Sequence, residues 1–146
     1  MQFEGRPRQP FFYSPISAEK LFGGLSSHSR NYLESLSEHS SFAADRVVFS
    51  AGDPPVHIFI LNSGMAEASS PVFAFGAGQV FGITEALSGN NFETSLRTIT
   101  KCDFDVIKRS DFLALLHEDS DVCFRLATAV SELNHKAVFC MRGQEK

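Results

Sequence analysis

Residues 75–95, FGAGQVFGITEALSGNNFETS, hold the densest set of groups in the chain able to meet a ligand. Gly76, Gly78 and Gly82 free the backbone to turn. Amides around Thr84 and Glu85, with the hydroxyls of Thr94 and Ser95, can donate to an anion. The glycine spacing is no dinucleotide fingerprint, because no strand–helix crossover surrounds it. Glu85 and Glu93 flank the loop as a carboxylate pair, and the simpler reading is two solvated side chains. Cys102, Cys123 and Cys140 fall at apolar positions without metal-type spacing, which predicts reduced, buried, unreactive thiols. His57, on a predicted strand, is the best candidate for a haem ligand, yet a lone strand histidine is more often structural. His28, His39, His117 and His135 lack ligand spacing, and no HExxH or His-x-His pair suggests zinc or a cupin-type metal. No cysteine precedes Cys102, so an N-terminal iron–sulfur cluster has no ligands. The expectation is a protein that is not an enzyme and carries no metal or cofactor.

Those residues must be positioned by a small body. The chain has 146 residues, which suits one domain, and 43% are hydrophobic, enough for a core. Fifteen Phe with no Trp suit short strands packing broad rings across a barrel or sandwich. A net charge of -4 with scattered basic residues argues against direct nucleic-acid binding by this chain. No signal peptide is visible and no apolar run approaches the roughly 18 residues of a membrane span. The expectation is a cytoplasmic protein with no membrane partner.

Along the chain, residues 1–14 read as an arm broken by Pro7 and Pro10. Ser17 opens a short helix ended by Gly23 and Gly24, and residues 29–37 read as a second helix. From Phe42 the texture turns to short strands: 46–50, 56–61, a hairpin of 66–70 with 72–75, then 93–99 and 102–108. Ser110 is expected to cap a helix over DFLALLH, and residues 121–142 read as one long helix. In that helix Cys123, Leu126, Val130, Leu133, Ala137 and Cys140 recur at the 3,4 spacing of a coiled-coil seam, expected to form a homodimer interface. The same spacing also fits a helix lying on its own barrel. Domain bounds follow: an arm over 1–14, a β domain with flanking helices over 15–118, and a dimerisation helix over 119–146.

Between residues 21 and 142 the order of motifs resembles the cyclic-nucleotide-binding domain of Crp/Fnr-type bacterial transcription regulators. The motifs are Gly52-Asp53, then Ile58 to Gly64 (IFILNSG), Gly78-Gln79-Val80-Phe81-Gly82, and Asp105 to Phe112 (DVIKRSDF). The resemblance implies a mainly β fold, a β-roll of jelly-roll type (double-stranded β-helix) with flanking helices and a long C-terminal helix. It implies effector sensing in a segment containing Phe81, Gly82, Ile83, Thr84, Glu85, Phe92, Glu93, Thr94 and Ser95. Members that bind cyclic AMP carry Phe-Gly-Glu and later an Arg; the Glu accepts from the ribose hydroxyl and the Arg neutralises the phosphate. Here Phe81-Gly82 is kept, Ile83 stands at the Glu position, and Phe92 or Glu93 at the Arg position. Arg97 is then the nearest cation, too far along its strand to replace it. Tight cyclic AMP binding is therefore disfavoured. The family's usual helix-turn-helix is not expected within residues 143–146, GQEK. Two functions follow: a regulatory sensor for an unknown small effector, or a ligand-free interaction and dimerisation scaffold.

Overall fold

The computed structural model describes residues 15–69 and 72–144, with side chains followed as far as Leu133. The arm expected over 1–14, and the side chains of Ala137 and Cys140, lie outside the described residues. The elements in order are β1 (Ile16–Ser17), α1 (Ala18–Phe22), α2 (Ser27–Leu36), β2 (Ser37–Phe42), β3 (Val47–Phe49), β4 (His57–Ser63) and β5 (Ala66–Ala68). They continue with β6 (Phe73–Phe75), β7 (Gln79–Phe81), α3 (Ile83–Ser88), β8 (Leu96–Thr98), β9 (Cys102–Lys108), α4 (Arg109–Glu118) and α5 (Ser120–Gln144).

The strands form a five-stranded sheet, β1-β7-β4-β9-β2, and a four-stranded sheet, β3-β8-β5-β6, each with antiparallel neighbours. This is the expected β-roll, with helices on one side. Strand β4 organises it, because alternate side chains of a strand face opposite ways. Phe59 and Leu61 enter the roll interior with Phe49, Phe81, Phe92, Leu96 and Phe104. Ile58 and Ile60 face the helices, joining Leu21, Val80, Ile107, Leu115, Val122 and Leu126.

Several expectations are corrected. Strand β2 (SEHSSF) carries no clear apolar alternation and was not expected as a strand. It forms because all six residues pair with β9, and because Ser41 Oγ donates to Asp103 Oδ1 at 2.6 Å. Helix α2 starts at Ser27, since Ser26 Oγ accepts the Ser29 N–H at 3.2 Å. Ser110 is not a cap. Strand β9 runs directly into α4, whose N-cap residue is Lys108, and the Arg109 N–H is still held by Val56 O at 2.8 Å.

The seam on α5 is also divided. Leu126, 4% exposed, lies in the core with Val122 and Ala129, while Val130 and Leu133 pack against that core. Cys102 is buried as expected, whereas Cys123 is exposed. A helix packed on its own domain must turn one stripe inward; the stripe used here, set against α1 and α4, includes Leu126 and leaves Cys123, Phe124 and Ala127 outside. No described helix is long and apolar enough to cross a membrane.

Candidate functional site

The segment singled out in the sequence becomes β7, α3 and the loop that enters β8, so the strand expected over 93–99 is confined to Leu96–Thr98. At its start, Gly82 has a φ of 96°, and a Cβ there would sit 3.1 Å from His57 O and 3.5 Å from the Phe92 ring. Glycine therefore serves two purposes: it takes the left-handed turn and lets α3 lie against β4. Phe81 is fully buried and pairs with Phe59, while Ile83 is 2% exposed and belongs to the helix-side core. Thr84 is exposed.

Glu85 is buried, and Thr84 Oγ1 donates to its Oε1 at 3.1 Å. Burial pushes its carboxyl above the ordinary carboxylate range. Hydrogen bonds from its own backbone and from Thr84 oppose that shift, and the Glu93 charge adds to it. The two carboxylates thus interact, but one is inside and the other exposed.

At the far end, Phe92 is 3% exposed and stacks on Phe49, ring centroids 3.9 Å apart and planes 19° apart. Two backbone bonds clasp it to the β3–β4 turn: Phe92 N to Asp53 O at 2.9 Å, and Gly52 N to Phe92 O at 2.7 Å. Of the two residues at the expected cation position, the interior one is therefore Phe92, and Glu93 points to solvent. The hydroxyls of Thr94 and Ser95 are engaged. Ser95 Oγ accepts the Ala51 N–H at 2.8 Å, and Thr94 Oγ1 accepts the Ser69 N–H at 3.2 Å.

Beside Phe92 runs an open groove of about 290 Å³ lined by Phe49, Asp53, Val56, His57 and Phe59 among others. Its aromatic lining is the edge of the roll core, since Phe49, Phe59 and Phe92 are at most 9% exposed. His57 sits at its edge, 6.2 Å from the Phe59 ring. Among the described residues, no three His, Cys, Asp or Glu side chains are grouped to hold a metal ion.

One residue of the region was missed. Arg97 is turned away and pairs with Asp45 at 2.9 Å, as expected of a cation outside the site. The basic side chain that touches the segment is Arg109, whose Nε donates to Ala86 O at 2.7 Å. Its distance in sequence from Ala86 hid it; only the β9-to-α4 passage brings it there.

Comparison with known proteins agrees with this geometry. A family model described as the cyclic nucleotide-binding domain matches residues 39–119. No curated protein matches the chain at a significant level. The catabolite activator protein of Thermus thermophilus superposes with a TM-score of 0.77 at 19% identity, over 86% of this chain and 63% of that one. The N-terminal domain of a transcriptional regulator from Streptomyces coelicolor A3(2) gives 0.68 at 17% identity, over 81% and 90%. The sensor domain of the transcriptional regulator DNR from Pseudomonas aeruginosa gives 0.68 at 17% identity, over 80% and 81%. The chain thus spans less than two thirds of the Thermus protein's length. At these identities the likeness is one of fold.

Proposed function

The chain belongs to the cyclic nucleotide-binding domain family, and from that premise we propose a non-enzymatic regulatory module of the Crp/Fnr type with a remodelled ligand segment. It takes a small effector at residues 82–95 and signals through α5. Cyclic AMP is not its tight ligand.

The observation that carries this reading is Phe92, buried and stacked on Phe49, at one of the two positions where the resemblance would put a phosphate-binding Arg. The face of an aromatic ring is electronegative and repels an anion. Ile83, turned into the helix-side core, offers a ribose hydroxyl no acceptor. Without a bidentate Arg contact as well, little remains to hold a cyclic phosphate. The face of α5 carrying Cys123, Phe124 and Ala127 is exposed, Phe124 at 72%, and supports a homodimer built on that stripe.

The closed aromatic interior also favours a second reading, a ligand-free interaction domain. One experiment separates them: thermal shift and calorimetry of the wild type with cyclic mono- and dinucleotides. Cyclic AMP at about 1 mM should leave it unmoved. A wild-type dissociation constant below about 10 µM for cyclic AMP overturns the remodelled segment. Another nucleotide that binds with a dissociation constant below about 10 µM is the effector, and at a hundredfold excess over that constant it should add about 2.7 kcal/mol. A flat response across the panel favours the ligand-free domain.

A further inference from the structure

We propose that the outer edge of β2 is a docking site, at which an extended basic segment of a partner protein adds as a further strand of the five-stranded sheet. Docking there needs no effector and involves none of residues 82–95.

The two sheets have four edges, β1 and β2 in one, β3 and β6 in the other. An edge strand offers a row of unpaired N–H and C=O groups, and proteins blunt such edges with short strands, bulges, proline or lysine. Strand β1 has two residues, β6 has three, and β3 has three with a register shift between Val47 and Phe49. Those edges are blunted. Strand β2 has six residues paired with β9 in unbroken register, and SEHSSF holds neither proline nor lysine. It leaves an open edge of about 20 Å. Among the described residues its only backbone bond away from β9 is Ser37 N–H to Glu34 O, where α2 ends. No residue of β2 is buried, and Glu38, His39 and Ser41 are exposed.

Charge selects the kind of segment that fits. Side chains alternate between the two faces of a strand. On one face Ser37, His39 and Ser41 stand in register with Ile107, Asp105 and Asp103; on the other is Glu38. His39 lies 3.6 Å from a carboxylate oxygen of each Asp. Ser41 and Ser63 donate to Asp103 at 2.6 and 2.9 Å, and these bonds hold its carboxyl below the ordinary range. A strand laid along β2 therefore meets Glu38 on one face, and Asp103 with Asp105 on the other. The Asp pair lies two strand spacings away, about 10 Å, a gap that Lys or Arg crosses and short side chains do not. A cation acting on the patch, Lys101, lies past the Phe42 end.

A second copy of the chain fits poorly. Two β2 strands paired about a two-fold axis would set Glu38, Asp103 and Asp105 of both copies along one seam, like charge beside like charge. A basic segment avoids that clash. Its main-chain bonds to β2 supply affinity, and its alternate side chains set the register.

The test uses the full chain and a synthetic peptide of about seven residues alternating threonine and lysine. Two forms of it are N-methylated at every second backbone nitrogen, one form in each phase, and a third control carries glutamate for lysine. Calorimetry measures binding, and amide hydrogen exchange locates it. The lysine peptide should bind with a dissociation constant of about 0.1–1 mM at low salt. At saturation it should slow exchange within residues 37–42 about tenfold. The N-methylated form whose blocked nitrogens face β2 should lose at least about tenfold in affinity, and the other form should keep it, because its blocked nitrogens point away. The glutamate peptide should not bind. Glu38→Lys should weaken the lysine peptide about fivefold and Glu38→Gln about twofold. Absence of binding at about 1 mM overturns the proposal, as does protection outside β2. Equal binding of the two N-methylated forms would reduce the contact to charge attraction without strand addition. Equal binding of the glutamate peptide would remove the basic partner. Self-association of the wild type that protects residues 37–42 without peptide would give the edge to a second copy.

Discussion

The two faces of β4 look into cores of different kinds. On the roll side stand five buried rings, Phe49, Phe59, Phe81, Phe92 and Phe104. They meet in fixed geometries: Phe59 on Phe104 edge-on, with centroids 6.2 Å apart and planes at 80°, and Phe49 on Phe92 stacked. On the helix side the core is mostly aliphatic, built from Ile58, Ile60, Val80, Ile107, Leu115, Val122 and Leu126. Ring pairs have preferred orientations and interlock, whereas aliphatic surfaces repack at smaller cost. On that ground the roll interior should be the half that resists repacking, and the layer of α1, α3, α4 and α5 the half that repacks more readily.

The sharpest way to break this comparison is to hollow out each core in turn. Phe104 is fully buried and touches both Phe42 and Phe59. Phe104→Ala should cost about 3–5 kcal/mol in urea unfolding. The helix side should be more forgiving. Leu126→Ala should cost about 2–3 kcal/mol, at the low end for a buried leucine, because α5 can settle into the space. A cost for Leu126→Ala equal to that of Phe104→Ala would mean that the two cores do not differ in rigidity. Two residues away on the same helix, Phe124→Ala should change stability by no more than about 0.5 kcal/mol, since the ring is 72% exposed. Its effect should appear in light scattering, as a weaker dimer. Leu126→Asp is a poor probe of dimerisation, because it places a charge in the protein's own core.

What could be read from the sequence followows the same division. Strand β9 is found over the residues expected, because Phe104 alternates with Asp103 and Asp105 along it. The glycine-marked turn at Gly82 was visible, as only glycine is at ease at that φ. Strand β2 was not, since Ser37–Phe42 has little apolar pattern and owes its form to its neighbour. The inward stripe of α5 was hidden for a different reason. A 3,4 spacing marks an apolar face but does not say whether a sheet or a second helix covers it. Within the candidate site, the sequence already put Ile83, and Phe92 or Glu93, where the resemblance implies a Glu and an Arg. That Phe92 would be stacked inside, with Glu93 outside, needed the register of β8. Arg109 could not be found from local pattern at all, because its partner Ala86 lies 23 residues earlier.

The smallest expected effect lies at Glu85, on α3, whose inner residues Ile83 and Ala86 belong to the helix-side core. Burial raises its carboxyl above the ordinary value, so losing the proton costs more in the folded chain than in the unfolded one. Its contribution is therefore fully present below the ordinary carboxylate value and is lost as pH rises through the raised one. At neutral pH the charged Glu85 works against the fold. Glu85→Gln keeps the shape and an acceptor for Thr84 while removing the charge. It should raise the melting temperature near about pH 7, with the difference closing as pH falls toward about 4. Glu93→Gln should act in the same direction and more weakly, because the Glu93 charge is the lesser cause of the shift. A variant Glu85→Gln that melts lower at neutral pH would reverse the inference. The carboxylate would then be held by a favourable contact, and α3 would carry a functional charge in place of a buried penalty.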